Sequence, residues 1–525
     1  MKYLSKFSLL LLLATGLFVA TGCGDDTTVI ESVDVSGTVL DDLGNPLEGV
    51  NVSSDLDDDD TSTDASGAYS FSAGAGATLT FTLDGYRTET ADVSTGVDSE
   101  TIDVTLDRGP GALFAESFEA GGNKVQDPAF AANSIQPTAD LGAAGTGIAG
   151  CEDVSYKGAI DPSGTPWYEG WSFYDNLVNG DLNSDEFTTG TIVNVTSSPD
   201  GVGTTTWSPN NTYVLDGFVF VNEGQTLTIE AGTVIQGKPG EGAEASALVV
   251  ARGGKIIANG TSDAPIIFTY EGDNGGSSAQ TRGEWGGLII LGNAGLNTVP
   301  SEQRIEGLPE TELRGVFGGS DDADNSGVLR YVSIRHGGSN IGADNEINGL
   351  TLGGVGTGTE IEYVEVVGNL DDGIEWFGGT VNAKHLISAF CGDDALDYDM
   401  GYRGNNQFVV VHQDATVGAA DRGGEHDGGT DPEDAAPFAT PTFCNVTAIG
   451  NADSRAITFR DNAGGFYHNS IFVGFNRGID VEDLIDADQD SYKQFEDGNL
   501  ALQNDVFFNI GAGDRAADIF KVTQN

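Results

Sequence analysis

The chain has 525 residues and a formal net charge of −58, from 81 Asp and Glu against 23 Lys and Arg. That balance excludes nucleic acid, whose phosphates it repels, and excludes direct electrostatic capture of anionic polymers. Apolar residues still make up 38%, so the composition describes a folded protein with an acidic, hydrated surface rather than a disordered one.

Seventy-six glycines, 15 prolines and 2 methionines, with no long 3.6-residue apolar period beyond the first twenty positions, predict short strands and tight turns. The fold class expected is all-β. An excess of Asp over Glu with little Lys suits a high-salt habitat, where the Debye length shrinks to about 3 Å at 1 M. A calcium-loaded protein would carry a similar balance.

In chain order, Lys2 and Lys6 flank the start of "FSLLLLLATGLFVA", and "ATGC" places Cys23 after small residues. The pattern resembles a bacterial lipoprotein signal, with Ala20 where that family more often has Leu. The resemblance implies cleavage after residue 22, lipid on Cys23 and a membrane anchor. "GDDTT" after it resembles the acidic tether, here 23–32, that sends some lipoproteins of the Bacteroidota to the cell surface; the localisation expected is outer membrane, surface exposed. Nothing after residue 20 is apolar for long enough to span a membrane as a helix.

Residues 33–107 read as short alternating strands between Gly, Asn and Asp turns, a small antiparallel sandwich. "GTVLDDLGNPLEGVNV", "TSTDASGAYSF" and "FTLDGYRTETADV" resemble the carboxypeptidase-regulatory-like domain, a seven-stranded transthyretin-like module, which implies a non-catalytic spacer. Asp57 to Asp60 read as a solvated loop in preference to a calcium loop. Residues 108–206 form a Gly- and Ala-rich linker that turns aromatic at "YKGAIDPSGTPWYEGWSFYDNL". Its Trp167, Tyr168, Trp171, Phe173 and Tyr174 are expected to cap the N-terminal end of a repeat array, the alternative being a sugar-stacking platform.

From residue 207 to 525 apolar strand segments recur every 18 to 22 residues, and Ile374 and Leu396, like Ile457 and Ile479, stand 22 apart. A strand–turn–strand period near 22 predicts a parallel β-helix, right-handed by the crossover rule. "RGEWGGLIILG", "SGVLRYVSIRHGG" and "DDGIEWFGGTVN" resemble an uncharacterised family of secreted and lipid-anchored proteins of the Bacteroidota and other marine bacteria. With Cys23 assigned to lipid, Cys151, Cys391 and Cys444 can form at most one disulfide; Cys391 with Cys444 is the pair that stacking would allow. Three small buried thiols is the simpler expectation. No CxxC or Cys/His zinc spacing occurs among them.

The chemistry concentrates where "DDGIEWFGG" (371–379) repeats as "DDALDYDMG" (393–401). Stacked corners bring Asp371 toward Asp393 and Asp372 toward Asp394, and like charges so placed need an offset. Three readings follow. Asp371, Asp372, Glu375, Asp393, Asp394, Asp397 and Asp399 offer the oxygen donors of a Ca²⁺ site. Alternatively, "NLDDGIE" before "GDDAL" resembles the polygalacturonase family of glycoside hydrolases, which implies catalysis by Asp372, Asp393 and Asp394. Leu370 stands where that pattern has Thr, and no G-H-G follows. A calcium-dependent lyase with Arg403, Arg455 or Arg460 as base is the sister idea. The third reading is a surface protein that binds glycan or cell-envelope material without cleaving it. Trp376 and Tyr398 stack on sugar or pack between coils, and His336 and His426 read as turn residues. The reading adopted is the non-catalytic glycan-binding lipoprotein, with calcium as its one possible cofactor; polysaccharide lyase or glycoside hydrolase is the alternative, and the oligomeric state is left open.

Overall fold

The computed structural model describes residues 32–524, apart from 42–44, 57–59, 84, 85, 87, 107–112, 119–134, 137–143, 184–186, 188, 189, 310, 343–345, 417–419, 430, 431, 485–488 and 514. The signal segment, Cys23 and the tether lie outside the described residues, as does the Asp57–Asp60 run except for Asp60. The chain divides into two compact units, one of residues 1–83 and 88–106 and one of 84–87 and 107–525. No helix among the described residues is long and apolar enough to cross a membrane.

The first unit is a two-sheet sandwich. Ser32–Asp41 pairs antiparallel with Ala68–Gly74 and parallel with Ser99–Thr101 and Val104–Leu106. Asn51–Ser54 pairs with Thr61–Ser62 and Thr78–Thr82, and the latter pairs with Glu89–Asp92. Alternation puts Val33, Val35 and Val39 of one sheet and Val52, Leu79 and Phe81 of the other into a common core. At Gly37 a Cβ would stand 1.8 Å from the Ile102 carbonyl oxygen, so only glycine lets the strands close there.

The second unit is a parallel β-helix whose coils contribute to three sheets. The second sheet is the simplest to follow, with ten strands in chain order from Phe218–Val221 to Phe520–Gln524. Its register holds the 22-residue period seen in the sequence, Ile374 against Leu396 and Ile457 against Ile479. The third and first sheets meet at a one-residue corner, so that a strand such as Asn382–Ala389 runs through both. The corner residues Tyr331, Tyr363, His385, Phe408, Asn445, Asn469 and Asn504 all have φ between 48° and 60°. Left-handed backbone is unfavourable for bulky residues and tolerated by Asn. The aromatic members offset it by stacking, Tyr331 on Tyr363 at 4.5 Å and Tyr363 on His385 at 4.2 Å.

The helix starts earlier than the period suggests. Thr191–Thr196 pairs with Asn211–Asp216, and Thr205–Trp207 with Thr226–Ile229, so the first coil precedes residue 207. At the other end Leu113–Phe118, from the linker, pairs antiparallel with Leu500–Phe508 and closes the last coil.

The aromatic segment does not cap the N-terminal end. Phe173 and Tyr174 pack on Val367, Ile387, Ala389 and Val410, while Trp167 meets Tyr363 and His385, and Trp171 meets Tyr331. It lies as a strap along the flank, because the first sheet is apolar on its outer face as well as its inner one and needs a cover there. The strap is also a poor sugar platform, since its rings are spent on the corner ladder. The short helix Phe173–Asn179 is capped by the Ser172 side chain, and its Phe173 and Tyr174 amides donate to buried Glu365 at 2.7 and 3.1 Å.

The strap carries a disulfide, Cys151–Cys444, with Cα atoms 6.4 Å apart; the expectation of three free thiols is therefore corrected. Cys391 does not pair with Cys444 and is a free buried thiol. Cys444 is in register with Gln407 and His468, beside the strap, whereas Cys391 belongs to the core inside the coils. The wall of the helix separates the two sulfurs.

Candidate functional site: an outward carboxylate face

Parity along the second sheet decides which side chains are inside. Trp376, Tyr398 and His426 are fully buried, with Tyr398 stacked on His426 at 4.1 Å and Trp376 on Tyr402 at 5.3 Å. Trp376 and Tyr398 therefore pack between coils and do not meet sugar. His426 Nε2 lies 2.7 Å from the Tyr467 hydroxyl, burial pushes its pKa down to about 3, and it serves the core. His336 is likewise buried, its Nδ1 2.8 Å from the Thr281 carbonyl.

The neighbours of those inward rings must face out. Glu375, Asp397 and Glu425 align across three coils, and Phe377 aligns with Asp399. The preceding corners add Asp371, Asp372, Asp393 and Asp394, in which the Asp394 amide donates to Asp372 Oδ1 at 2.9 Å. Upstream, the same face is covered. Residues 292–326 leave the helix after Leu288–Leu291, and their Leu296, Ile305, Leu308 and Phe317 pack on Val249, Ile289, Leu291 and Phe377. The carboxylate face begins where this cover ends.

The seven predicted ligands do not form one site. Their oxygens gather into overlapping triads whose members lie within 4.8 Å of one another: Asp371, Asp372 and Asp393; Asp372, Glu375 and Asp397; and Asp393, Asp394 and Asp421. A metal ion fits any of these spacings. Asp399 is in none of them; its Oδ1 accepts from the Met400 amide at 2.5 Å. Asp372, Asp393 and Asp394 are split, Asp372 sharing a triad with Asp393 and Asp393 sharing another with Asp394.

Burial and mutual repulsion act together on this face. Asp372, Glu375, Asp394 and Asp397 are all pushed well above the usual carboxylate range, in each case first by burial and then by neighbouring carboxylates. Asp371 is pushed up to about 7 by burial, Glu306 and Asp393. Asp394 has a partial offset in Arg422, at 3.2 Å, which also meets Glu425 at 3.0 Å. Asp372, Glu375 and Asp397 make no ion pair with Lys or Arg among the described residues, and Asp397 Oδ1 is buried without a hydrogen bond. Asn348 donates through Nδ2 to Glu375 and, at 3.2 Å, to Glu306.

Of the arginines singled out from sequence, Arg403 is a tie to the cover loop, donating to Asp322 at 2.9 Å and to the Gly401 carbonyl at 2.8 Å. Arg455 pairs with Asp480. Arg460 is bidentate to Asp427, at 2.7 and 3.0 Å, and reaches Glu425 at 3.2 Å. Arg422, Arg455 and Arg477 sit in register on three successive coils. Glu306, Glu425, Asp427, Asp421 and Arg422 were missed in the sequence. Glu425 and Asp427 had a signal: "GGEHDGG" repeats the acid–aromatic–acid alternation of "LDYD". Glu306 had none, since only folding of the cover loop brings it to Asn348 and Glu375.

Residues 200–525 match the family described as a pectate-lyase like beta helix domain, and residues 34–107 match the carboxypeptidase regulatory-like domain. Among solved structures, a streptococcal ancillary pilin is similar at 18% identity and a TM-score of 0.13, over 19% of this chain and 43% of the pilin chain; the aligned part spans less than half of the pilin. No curated protein matches the chain.

Proposed function

This chain belongs to the pectate-lyase-like β-helix family, and from that premise we propose that it binds an acidic extracellular polysaccharide or cell-envelope glycan through calcium held on the carboxylate face of residues 371–427. The observation that carries the reading is the triad of Asp372, Glu375 and Asp397, largely buried, without a cationic partner and with an unbonded oxygen. Hard, closely spaced oxygens on adjacent coils are the donor set Ca²⁺ prefers, and Asn348 adds an amide beside them. Bound calcium offsets the mutual repulsion and leaves coordination positions for carboxylates of a polymer that this acidic chain would otherwise repel. Arg477, which makes no ion pair among the described residues and follows the paired Arg422 and Arg455 at the rise of one coil, about 4.8 Å, gives that polymer a cationic group. In the same reading, lipid on Cys23 holds the protein in the outer membrane, with residues 34–107 as spacer.

Glycoside hydrolysis is the second reading, favoured by Asp371 and Asp427, whose pKa values of about 7 suit a general acid. Oxygens within 4.8 Å are closer than the separation of about 6.5–9.5 Å that inverting hydrolysis needs, so acid and base would come from different triads. Elimination fits less well. Hydrogen bonding to Asp427 holds Arg460 above its usual range, and Arg403 is tied to Asp322. Arg455 is lowered, by burial and by Arg477 and Arg422, and it is already paired with Asp480.

The test is co-sedimentation of the protein with pectins, alginates and sulfated polysaccharides, in calcium and in chelator, with reducing ends and unsaturated products followed in parallel. Calcium-dependent binding without product, lost in Asp372→Asn, is the expected result. Product formation that disappears in Asp393→Asn replaces the binding reading with the enzymatic one. Binding that ignores chelator removes calcium from the account.

A further inference from the structure

Away from the carboxylate face, the outer side of the third sheet carries a cavity of about 450 Å³, within the size range of small-molecule sites. Its floor comes from Gly465–His468 and Leu500–Phe508, paired in parallel with Phe466 beside Ala501 and His468 beside Gln503. Tyr467, Leu500 and Leu502 point into the core, so alternation turns Phe466, His468, Ala501 and Gln503 outward. The strap supplies the other wall, from Thr146 to Ala149.

Three properties of this cavity point to one ligand chemistry. In a chain with 81 acidic residues, no lining residue among the described residues is acidic, and none is Lys or Arg. The rings of Phe466 and His468 lie nearly parallel, 4° apart, and burial lowers the His468 pKa to about 4, which leaves the imidazole neutral at pH 7. Beside these rings stand a side-chain amide, Gln503, and a hydroxyl, Thr146. Aromatic faces next to neutral hydrogen-bonding groups suit a sugar ring, whose C–H faces are apolar and whose edge is hydroxyl.

The wall is held in place before any ligand arrives. Asn469 brackets Gly145, accepting from its amide at 2.6 Å and donating to its carbonyl at 3.0 Å. The Gly147 amide donates to Asp153 at 2.7 Å, and Cys151 is joined to Cys444. A preformed wall spares the ligand the cost of ordering the loop.

We propose that this cavity is a binding site for an uncharged saccharide unit, formed by Phe466, His468, Gln503 and Thr146, and independent of calcium and of the carboxylate face. The experiment uses the full chain in detergent with a chelator present, so that any cation-dependent binding elsewhere is silent. Methyl glucoside, methyl galactoside, cellobiose and maltose are screened by saturation-transfer NMR and titrated by calorimetry, with galacturonate as the charged control. At least one neutral sugar is expected to bind, with affinity falling tenfold or more in Phe466→Ala and in Ala501→Leu, which fills the cavity without removing a polar group. Circular dichroism and the melting temperature establish that each variant is folded. The proposal is overturned if no neutral sugar binds, if galacturonate binds as well as the neutral sugars, or if binding survives in both folded variants.

Discussion

A carboxylate that faces another across one coil is held about 4.8 Å away by the strand spacing, and neither side chain can move far enough to escape. Glu375 and Asp397 stand in that relation. Asp505 shows burial alone. It is fully buried, accepts from the Ser470 amide at 2.6 Å, and burial, opposed by that hydrogen bond and by Lys157, raises its pKa to about 8. At this group the folded state then binds more protons than the unfolded state between pH 4 and 8, so its contribution to stability is greatest below pH 4 and falls as pH rises through that window, by at most about 1.4 kcal/mol per unit. Asp505→Asn keeps the acceptor for Ser470 and removes the titration. Its melting temperature should match or exceed that of the parent at pH 5 and exceed it by a wider margin at pH 8; an unchanged margin would show that Asp505 does not titrate there.

Among elements, the strap depends on two fastenings of different kinds. Ser333 donates to Glu365 at 2.5 Å and receives a hydrogen bond from Arg335 at 2.7 Å, while the Phe173 and Tyr174 amides use the same carboxylate. Glu365→Gln places an amide NH₂ against one of these donors and should cost about 1–3 kcal/mol. Cys151→Ser removes the covalent fastening and should cost about 2–4 kcal/mol. Both are read from urea unfolding, with Trp167 and Trp171 fluorescence reporting whether the strap leaves the flank first. The strap also marks where sequence reading reached its limit. Strand period and the Asp371/Asp393 register were legible because each is local and repeats, whereas the aromatic corners such as Tyr363 and His385 were not. The strap's landing place was not, because aromatic composition specifies burial and leaves the burying surface open. Cys151 meeting Cys444 and Glu306 meeting Glu375 depend in the same way on how non-repeating segments fold back on the array. At the site, parity in "IEWF" and "LDYD" was enough to orient the carboxylates, while the division into triads required side-chain positions.

For the whole molecule, a net charge of −58 makes self-repulsion a term spread over the entire surface. Sodium chloride between 0.1 and 1 M shortens the Debye length from about 10 to about 3 Å and should raise the melting temperature progressively. Calcium should add a saturable increase at concentrations too low to change screening, worth about 2.7 kcal/mol at a hundredfold excess over its dissociation constant, and Asp372→Asn should lose that increase while keeping the response to salt. If calcium and an equal ionic strength of sodium chloride act alike, the carboxylates are screened and not coordinated. A parallel β-helix supports this division, because each coil touches mainly its neighbours and a charge cluster perturbs the array locally.

The disulfide has a mechanical consequence. It joins residues 293 positions apart, so tension applied to the chain on either side of the loop passes from Cys151 directly to Cys444. The residues between them are bypassed and cannot be drawn out while the bond is intact. The coils bearing Asp371 to Asp427 lie inside that loop, so a chain under tension sheds its last coils and still presents an unstretched carboxylate face.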